Sequence, residues 1–94
     1  FVLLSDKEVE KLLTLTSNEI KTYLILRYLL ADIKEKNIEL GYIAKNIGLS
    51  ELNTTRTIKK YIDNLKENNL IEYNYYFEFI ENKNIKRYKF RIKE

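Results

Sequence analysis

The sequence predicts an α+β fold that is mainly helical and ends in a β-hairpin. Two patterns support this prediction. Apolar residues recur at helical spacing through most of the chain, and from residue 71 onwards they alternate with polar residues, as in half-buried strands. A chain of 94 residues can bury one modest hydrophobic core. We therefore expect residues 1–94 to form a single domain.

The first segment, residues 1–15, is predicted to be an apolar arm followed by a short helix. Ser5 or Asp6 can cap this helix, because a side-chain oxygen at that position accepts a hydrogen bond from a backbone N–H of the first turn. Glu8 follows in the first turn, where a negative charge is favourable to the helix dipole. The side chains expected to face the core are Val9, Leu12 and Leu13.

A longer helix is predicted over residues 17–34, and we expect it to be the central helix of the core. Thr16 is followed three residues later by Glu19, which is the spacing of a capping box. The apolar stripe of this helix is too wide for an open surface, which favours a buried position. The residues of that stripe are Ile20, Tyr23, Leu24, Leu26, Tyr28, Leu29, Leu30 and Ile33. Residues 34–37 are polar and predict a turn.

Residues 40–69 have the pattern of a helix-turn-helix. The apolar residues of its short first helix are Leu40, Ile43, Ala44 and Ile47. Gly48 follows at once and can adopt the left-handed conformation that ends a helix. The residues on the apolar stripe of the longer second helix are Ile58, Ile62 and Leu65. We prefer Asn53 to Ser50 as the N-terminal cap of this second helix, and Asn69 can end it.

The side of the second helix opposite its apolar stripe is polar and basic. It carries hydroxyl groups, an amide and three positive charges, and only Asp63 opposes them. The residues on this side are Thr54, Arg56, Thr57, Lys59, Lys60 and Asn64. A helix with such an outer face is suited to a DNA major groove.

Arg56 is the candidate residue for reading a base. It lies in the first turn of the second helix among threonines, where a recognition helix usually meets base edges. Its planar guanidinium can donate to O6 and N7 of guanine together. Two alternatives remain open for this residue, a phosphate contact and a surface salt bridge to Glu51 or Asp63.

Residues 70–93 are predicted to form a β-hairpin with alternating aromatic and aliphatic residues on one face. A four-residue loop at residues 81–84 is expected, because the turn has no Asn-Gly pair. The pairs expected across the apolar face are Phe77 with Tyr88, Tyr75 with Phe90 and Tyr73 with Ile92. The charged pairs expected on the other face are Glu78 with Arg87 and Glu72 with Lys93. The tip of this hairpin is polar and basic.

The net charge of +3 is concentrated in the second half of the chain. Every charged residue from Asn82 to Lys93 is basic. Positive charge gathered on one part of a domain indicates a polyanionic partner such as nucleic acid. The alternative is a solvated basic tail without a ligand.

The composition argues against several classes of function. The chain has no histidine and no cysteine, so the usual general base and the commonest metal ligands are missing. Its two glycines cannot form a glycine-rich phosphate loop. We therefore expect no enzyme activity, no cofactor, no metal site and no small-molecule ligand. No apolar run approaches ~18 residues, so no membrane span is expected, and a cytoplasmic location is the default.

Three helices with a helix-turn-helix, followed by a hairpin, resemble the winged-helix DNA-binding domain. Three blocks carry the resemblance, Ile43–Ser50, Thr57–Leu65 and Asn69–Ile71. The family pattern there is roughly L-A-x-x-x-G-L-S, T-V-x-R-x-I-x-x-L and G-L-I. Lys60 stands where arginine is common and Asn69 where glycine is common, and the spacer between the first two blocks is longer than in the shortest members.

The resemblance implies double-stranded DNA as the partner, and a homodimer is a second candidate assembly. The second helix is expected in the major groove, and the hairpin, called the wing, is expected on the backbone or in the minor groove. The residues expected to contact DNA are Tyr42, Lys45, Asn53, Thr54, Thr55, Arg56, Thr57, Lys59, Lys60, Asn64, Asn82, Lys83, Asn84, Lys86 and Arg87.

A narrower resemblance concerns the first half of the chain. The stretch LTSNEIKTYLILRYLL is similar to the opening of plasmid and phage replication-initiator proteins of low-GC bacteria. In that group the winged helix is the N-terminal part of a longer initiator, and the absence of methionine leads us to expect that this chain is also part of a longer protein. The resemblance implies an origin-binding domain. A transcriptional repressor and a winged-helix protein-interaction module are the alternatives.

Overall fold

The structure, a computed structural model, describes residues 4–49 and 54–93, with the backbone alone at Thr54. These residues form four helices and a three-stranded antiparallel sheet. The helices are α1 (Asp6–Leu12), α2 (Ser17–Leu29), α3 (Leu40–Asn46) and α4 (Thr54–Glu67). The strands are β1 (Lys36–Asn37), β2 (Ile71–Ile80) and β3 (Lys83–Ile92). The predicted combination of helices with a hairpin at the end of the chain is confirmed.

Capping boxes begin the first two helices, because polar side chains there bond N–H groups that a helix leaves unpaired. At α1 the backbone N–H of Ser5 donates to the Glu8 carboxylate at 2.9 Å, and the Glu8 N–H donates to the Ser5 hydroxyl at 3.2 Å. At α2 Thr16 and Glu19 form the same reciprocal pair, as the sequence predicts. Residues 1–3 of the predicted arm lie outside the described part of the chain.

The short helix α1 lies at the margin of the core. Of its predicted inward-facing residues, Leu12 is buried and Val9 is exposed. Leu13, the residue after the helix, is exposed as well, so the prediction is wrong at two of three positions. The reason is that a helix of seven residues makes only about two turns, and one position of α1 reaches the core.

Helix α2 crosses the core but ends earlier than predicted, at Leu29 rather than at residue 34. Ile33 therefore lies in the loop that follows and is exposed. Tyr23 is fully buried, which confirms it as a core aromatic residue. Leu24 and Tyr28 lie on another side of the helix and are exposed. The predicted apolar stripe is thus wider than the side of α2 that the core covers.

Helix α4 contacts α2, α3 and β2 and is the centre of the core. Its stripe of Ile58, Ile62 and Leu65 is fully buried, which confirms the predicted apolar side. The other buried apolar residues are Leu12, Tyr23, Leu26, Leu30, Ile38, Leu40, Ile43, Ala44, Ile47, Leu70, Ile71 and Phe90. Because this packing uses one side of α4, the opposite side is left to solvent.

Residues in the left-handed conformation end both α3 and α4. Gly48 has a φ of 81°, and the Leu49 N–H donates to the Ala44 carbonyl at 3.0 Å, which is the hydrogen bond of a Schellman motif. Helix α4 ends in the same way at Asn69, whose φ is 60°. Both predicted helix ends are confirmed. The predicted N-terminal cap at Asn53 lies outside the described residues.

The sheet has the order β1-β3-β2. Strand β1 forms where the sequence predicts only a polar turn, and it pairs with Phe90 and Lys89 of β3. Just after it, the Ile38 N–H donates to the Tyr88 carbonyl at 3.1 Å. Both residues of β1 are polar and exposed, so they show no alternation in the sequence. Their strand conformation comes from pairing with β3 alone.

The loop between β2 and β3 has two residues, Glu81 and Asn82, so the predicted four-residue loop is wrong. Glu81 and Asn82 both have positive φ, 51° and 64°, as a type I′ turn requires at its two central positions. The observed cross-strand pairs are Tyr73 with Phe90, Tyr75 with Tyr88 and Phe77 with Lys86. The register differs from the predicted one by two residues, because the two-residue turn pairs Ile80 with Lys83, where a four-residue loop would pair it with Ile85. An even shift leaves every side chain on its predicted face.

The charged pairs predicted on the other face form as diagonal contacts. Arg87 is directly opposite Tyr76, yet its Nε lies 3.2 Å from a carboxylate oxygen of Glu78. The Lys93 ammonium lies 3.8 Å from the Glu72 carboxylate. Side chains of this length reach across a two-residue offset, so both predicted ion pairs form although the register differs from the predicted one.

Candidate nucleic-acid interface

The first turns of α4 present polar and basic side chains to solvent. Thr55, Arg56 and Lys60 are exposed. Arg56 and Lys60 are four residues apart and therefore project from the same side of the helix. Within the described part of the chain, the Arg56 guanidinium forms no hydrogen bond and no ion pair. Its planar donor group is thus available to a ligand.

Lys59 lies on the side of α4 that faces the hairpin, so its predicted place on the outer side is wrong. Its ammonium binds the Asp63 carboxylate at 2.9 Å, and the Tyr73 hydroxyl donates to the same carboxylate. The hydrogen bond to Asp63 raises the pKa of Lys59. Burial acts to raise the pKa of Asp63, but hydrogen bonds from Lys59 and Tyr73 outweigh it and lower that pKa. Asp63 is therefore engaged by Lys59 and not by Arg56.

Asn64 joins α4 to α2, so its predicted place on the outer side is also wrong. Its side-chain amide donates to the carboxylate of Glu19, which is buried. The same carboxylate accepts hydrogen bonds from the Thr16 N–H and the Thr16 hydroxyl, both at 2.9 Å. Burial acts to raise the pKa of Glu19, but these hydrogen bonds outweigh it and lower the pKa below its ordinary value. The Asn64 amide is thus used within the fold.

Other predicted contact residues lie on α3, on α4 or in the segment between these helices. Tyr42 and Lys45 are exposed on α3. Thr57 is partly buried on α4. Asn53 and the side chain of Thr54 lie outside the described part of the chain. Tyr42 and Lys45 therefore add one aromatic ring and one cation to the exposed surface of α3.

The hairpin carries the second group of predicted residues. Those exposed at or near its turn are Asn82, Lys83, Asn84 and Lys86. Arg87 is partly buried and bridges two elements, because its Nη1 lies 2.9 Å from Glu39 at the start of α3 and its Nε lies 3.2 Å from Glu78 on β2. Ion pairs with exposed partners are weak, so Arg87 links the hairpin to α3 without immobilising it.

The first turn of α4 and the hairpin meet at one open groove of about 580 Å³. Thr55 lines it from α4, and Lys86 and Arg87 line it from β3. Glu39 and Glu78 also lie in its wall, where both pair with Arg87. The fold thus brings predicted residues from two separate parts of the sequence to the same side of the molecule.

No family model matches this chain, and no curated protein or solved structure matches it. Among the residues that the structure describes, no helix combines the length and the apolar character needed to cross a membrane. The same residues contain no group of three or more His, Cys, Asp or Glu side chains placed to hold a metal ion.

Two features of this surface are missing from the sequence prediction. The ammonium of Lys66, in the last turn of α4, lies 5.0 Å from the centre of the Tyr73 ring. Phe77 and Phe79 are exposed near the end of the hairpin, although their alternation is typical of a half-buried strand. Strand length is the signal that identifies them, because ten residues span about 33 Å, more than one modest core covers.

Proposed function

We propose that this chain binds double-stranded DNA as a winged-helix domain. Helix α4 enters the major groove with the side that carries Arg56 and Lys60, and the hairpin acts as the wing beside it. The observation that supports this most is the groove between the two elements, with Thr55 on one wall and Lys86 on the other. Because α4 and the hairpin border the same groove, both can contact one duplex.

The distribution of charge along α4 favours contact through its N-terminal half. Arg56 and Lys60 are exposed there, whereas the exposed Glu67 lies on the same side at the far end of the helix. A carboxylate repels phosphates, so the end of α4 is held away from the duplex. The first turns of α4, which carry Arg56 and Lys60, therefore contact the bases.

The hairpin favours contact with the DNA backbone. Lys83 directly follows the turn, and Lys86 lies three residues further along β3, with both side chains exposed. A lysine ammonium is a point charge without the planar donor pattern of arginine, so it suits phosphate better than one particular base. The wing then adds affinity for any duplex and reads little sequence.

The biological role that we propose is origin binding, in a cytoplasmic replication initiator of a plasmid or phage. It rests on the similarity of residues 15–30 to the opening of such initiators and is an analogy at the level of the family. Selection of bound duplexes from a random pool tests this role. Repeats of the selected site in the DNA that encodes the protein would support it, and a single palindromic site beside a promoter would contradict it.

Titration of a fluorescein-labelled, mixed-sequence duplex at two salt concentrations tests DNA binding itself. The wild-type protein is expected to bind, and more weakly at the higher salt concentration. The variant Arg56→Ala/Lys60→Ala should bind at least about tenfold more weakly, because it loses two cations on the proposed contact side.

The matched control for this titration is Lys7→Ala/Lys34→Ala, which removes the same charge from exposed positions. Lys7 lies in the wall of a depression shared with Asn69, at the end of α4 remote from Arg56. Lys34 lies in the loop after α2. The control should bind the duplex like the wild-type protein. Equal losses in both variants, or no binding at low salt, would contradict the proposal and favour a protein-interaction module.

A further inference from the structure

The outer part of the hairpin exposes a row of aromatic side chains. At the base of the same face, Ile71 and Phe90 are fully buried. Further out, Tyr75 is 54% exposed, Phe77 62% and Phe79 68%. We refer to Tyr75, Phe77 and Phe79 together as the aromatic face. Large apolar side chains left in contact with water in a contiguous row mark a surface of interaction.

Tyr75 packs near Tyr88, but contacts within the protein do not account for the two phenylalanine rings. The ring centres of Tyr75 and Phe77 lie 6.2 Å apart in an edge-to-face arrangement. Phe79 makes no ring contact with any other described residue. Both phenylalanines therefore contribute little to the core, and their placement calls for an explanation outside the fold.

Each of the two phenylalanines lies opposite a polar side chain of β3. Phe77 pairs with Lys86, and Phe79 pairs with Asn84. The Lys86 ammonium also lies 4.1 Å from the centre of the Tyr75 ring. A row of rings on β2 thus lies beside a cation and an amide on β3, all on the same face. Rings offer stacking surfaces, a cation attracts phosphate, and an amide both donates and accepts hydrogen bonds.

The carboxylates of the two strands lie on the opposite face of the sheet. Glu78 pairs there with Arg87, and Glu72 pairs with Arg91. The aromatic face therefore combines apolar rings with positive charge and lacks a carboxylate from either strand. This combination is characteristic of surfaces that bind single-stranded nucleic acids.

We propose that the aromatic face binds an unpaired nucleic-acid strand. Bases stack on Phe77 and Phe79, and Lys86 contacts the phosphates between them. Alternate residues of a strand are about 6.8 Å apart, roughly twice the ~3.4 Å spacing of stacked bases, so a base can lie beside each ring. This site shares Lys86 with the proposed wing but is distinct from the outer side of α4, and its stacking residues Phe77 and Phe79 have no part in the proposed recognition of duplex DNA.

A second copy of the chain fits this face less well. Two aromatic faces packed on each other would bury Lys86 of both copies, and neither face offers a carboxylate to pair with it. Moving an unpaired ammonium out of water is strongly unfavourable. A nucleic-acid strand supplies the negative charge that a second copy lacks.

The first test is fluorescence anisotropy of a labelled oligothymidylate of about 12 nucleotides, which falls within the ~4 to 16 nucleotides of typical single-strand sites. We expect the variant Phe77→Ala/Phe79→Ala to bind this strand at least about 30-fold more weakly than the wild-type protein, because two stacking surfaces are lost. The control is Tyr28→Ala, since Tyr28 is an aromatic residue of similar exposure, 61%, on α2. It should bind like the wild-type protein.

The second test reports stacking directly. The chain has no tryptophan, so a single introduced one gives an unambiguous signal. Emission of Phe77→Trp should be quenched on addition of oligothymidylate, because a stacked base quenches the indole ring. Emission of Tyr28→Trp should stay unchanged. Quenching reports a base stacked on the introduced tryptophan itself, so a strand bound at another site of the protein would not produce it.

Several results would overturn this proposal. One is the absence of oligothymidylate binding by the wild-type protein, and another is equal binding by Phe77→Ala/Phe79→Ala. A loss with Arg56→Ala/Lys60→Ala alone would place the strand on α4 instead. If the phenylalanine variant changes only the oligomeric state, measured by sedimentation, the face binds a second copy. The duplex titration is a separate measurement, so either proposal can fail without the other.

Discussion

The side-chain amide of Asn64 in α4 donates a hydrogen bond to the buried carboxylate of Glu19 in α2, 45 positions earlier in the chain. The same carboxylate closes the capping box with Thr16 at the start of its own helix. One buried group therefore both begins α2 and holds α4 against it.

Replacing Asn64 with alanine is expected to lower the free energy of unfolding by about 1–3 kcal/mol, because the buried Glu19 carboxylate loses a hydrogen-bond donor. Urea unfolding monitored by circular dichroism measures the difference. Arg56→Ala, on the exposed side of the same helix, is the control and should stay within about 0.5 kcal/mol of the wild-type protein. An Asn64→Ala protein as stable as the wild type would show that this contact adds nothing.

Stability is expected to fall in acid as Glu19 takes up a proton. Its pKa in the folded protein is lowered from the ordinary value of 4.5, so its stabilisation is complete above that value and is lost as the pH drops through the folded pKa. Glu19→Gln removes this titration, and the variant should lose less free energy of unfolding than the wild-type protein between about pH 6 and pH 3. Urea midpoints over this range give the two curves, and parallel curves would refute the assignment.

Arg56→Ala distinguishes the three contacts that this side chain can make. If Arg56 reads a base, the substitution should cost about 1–3 kcal/mol of binding free energy on the selected duplex and relax the preference at one base pair. The measurement is binding to the selected duplex and to each of its single-base variants. Equal losses on every duplex would indicate a phosphate contact, and no loss would indicate a surface position without a role in binding.

Lys83→Ala/Lys86→Ala is expected to weaken binding to all duplexes by a similar factor, because both ammonium groups are assigned to the backbone. Selection from a random pool should return the same preferred sequence for the variant and the wild-type protein. A changed preference would mean that the hairpin reads bases. Asn74→Ala, exposed on the other face of β2, is the control and should leave both affinity and preference unaltered.

The salt dependence of duplex binding is expected to correspond to about four phosphate contacts, a log–log slope of roughly −3.6. The cations available for these contacts are Arg56, Lys60, Lys83 and Lys86. Lys59 and Arg87 also belong to the predicted set, but both pair with carboxylates in the structure. Titrations at several salt concentrations give the slope, and a value near zero would exclude binding through phosphates.

Features that depend on near neighbours could be predicted from the sequence alone. The capping box of Thr16 and Glu19 joins residues three positions apart, and the left-handed end of α4 at Asn69 involves a single turn. The buried stripe of α4 and the two faces of the hairpin follow from helical and strand periodicity. The exposed positions of Arg56 and Lys60 follow from the same periodicity, since they lie opposite that stripe.

Features that depend on distant neighbours were decided by the tertiary structure. Strand β1 exists because β3 lies beside it. Periodicity places Lys59 and Asn64 on the polar side of α4, but polar side chains turn toward the partners that other elements supply. Asn64 finds Glu19 on α2, and Lys59, which pairs with Asp63 four residues further along α4 itself, lies over the Tyr73 ring of the hairpin. A contact between residues far apart in the chain leaves no mark in local spacing, so only the packed structure separates these two side chains from the surface that we propose faces DNA.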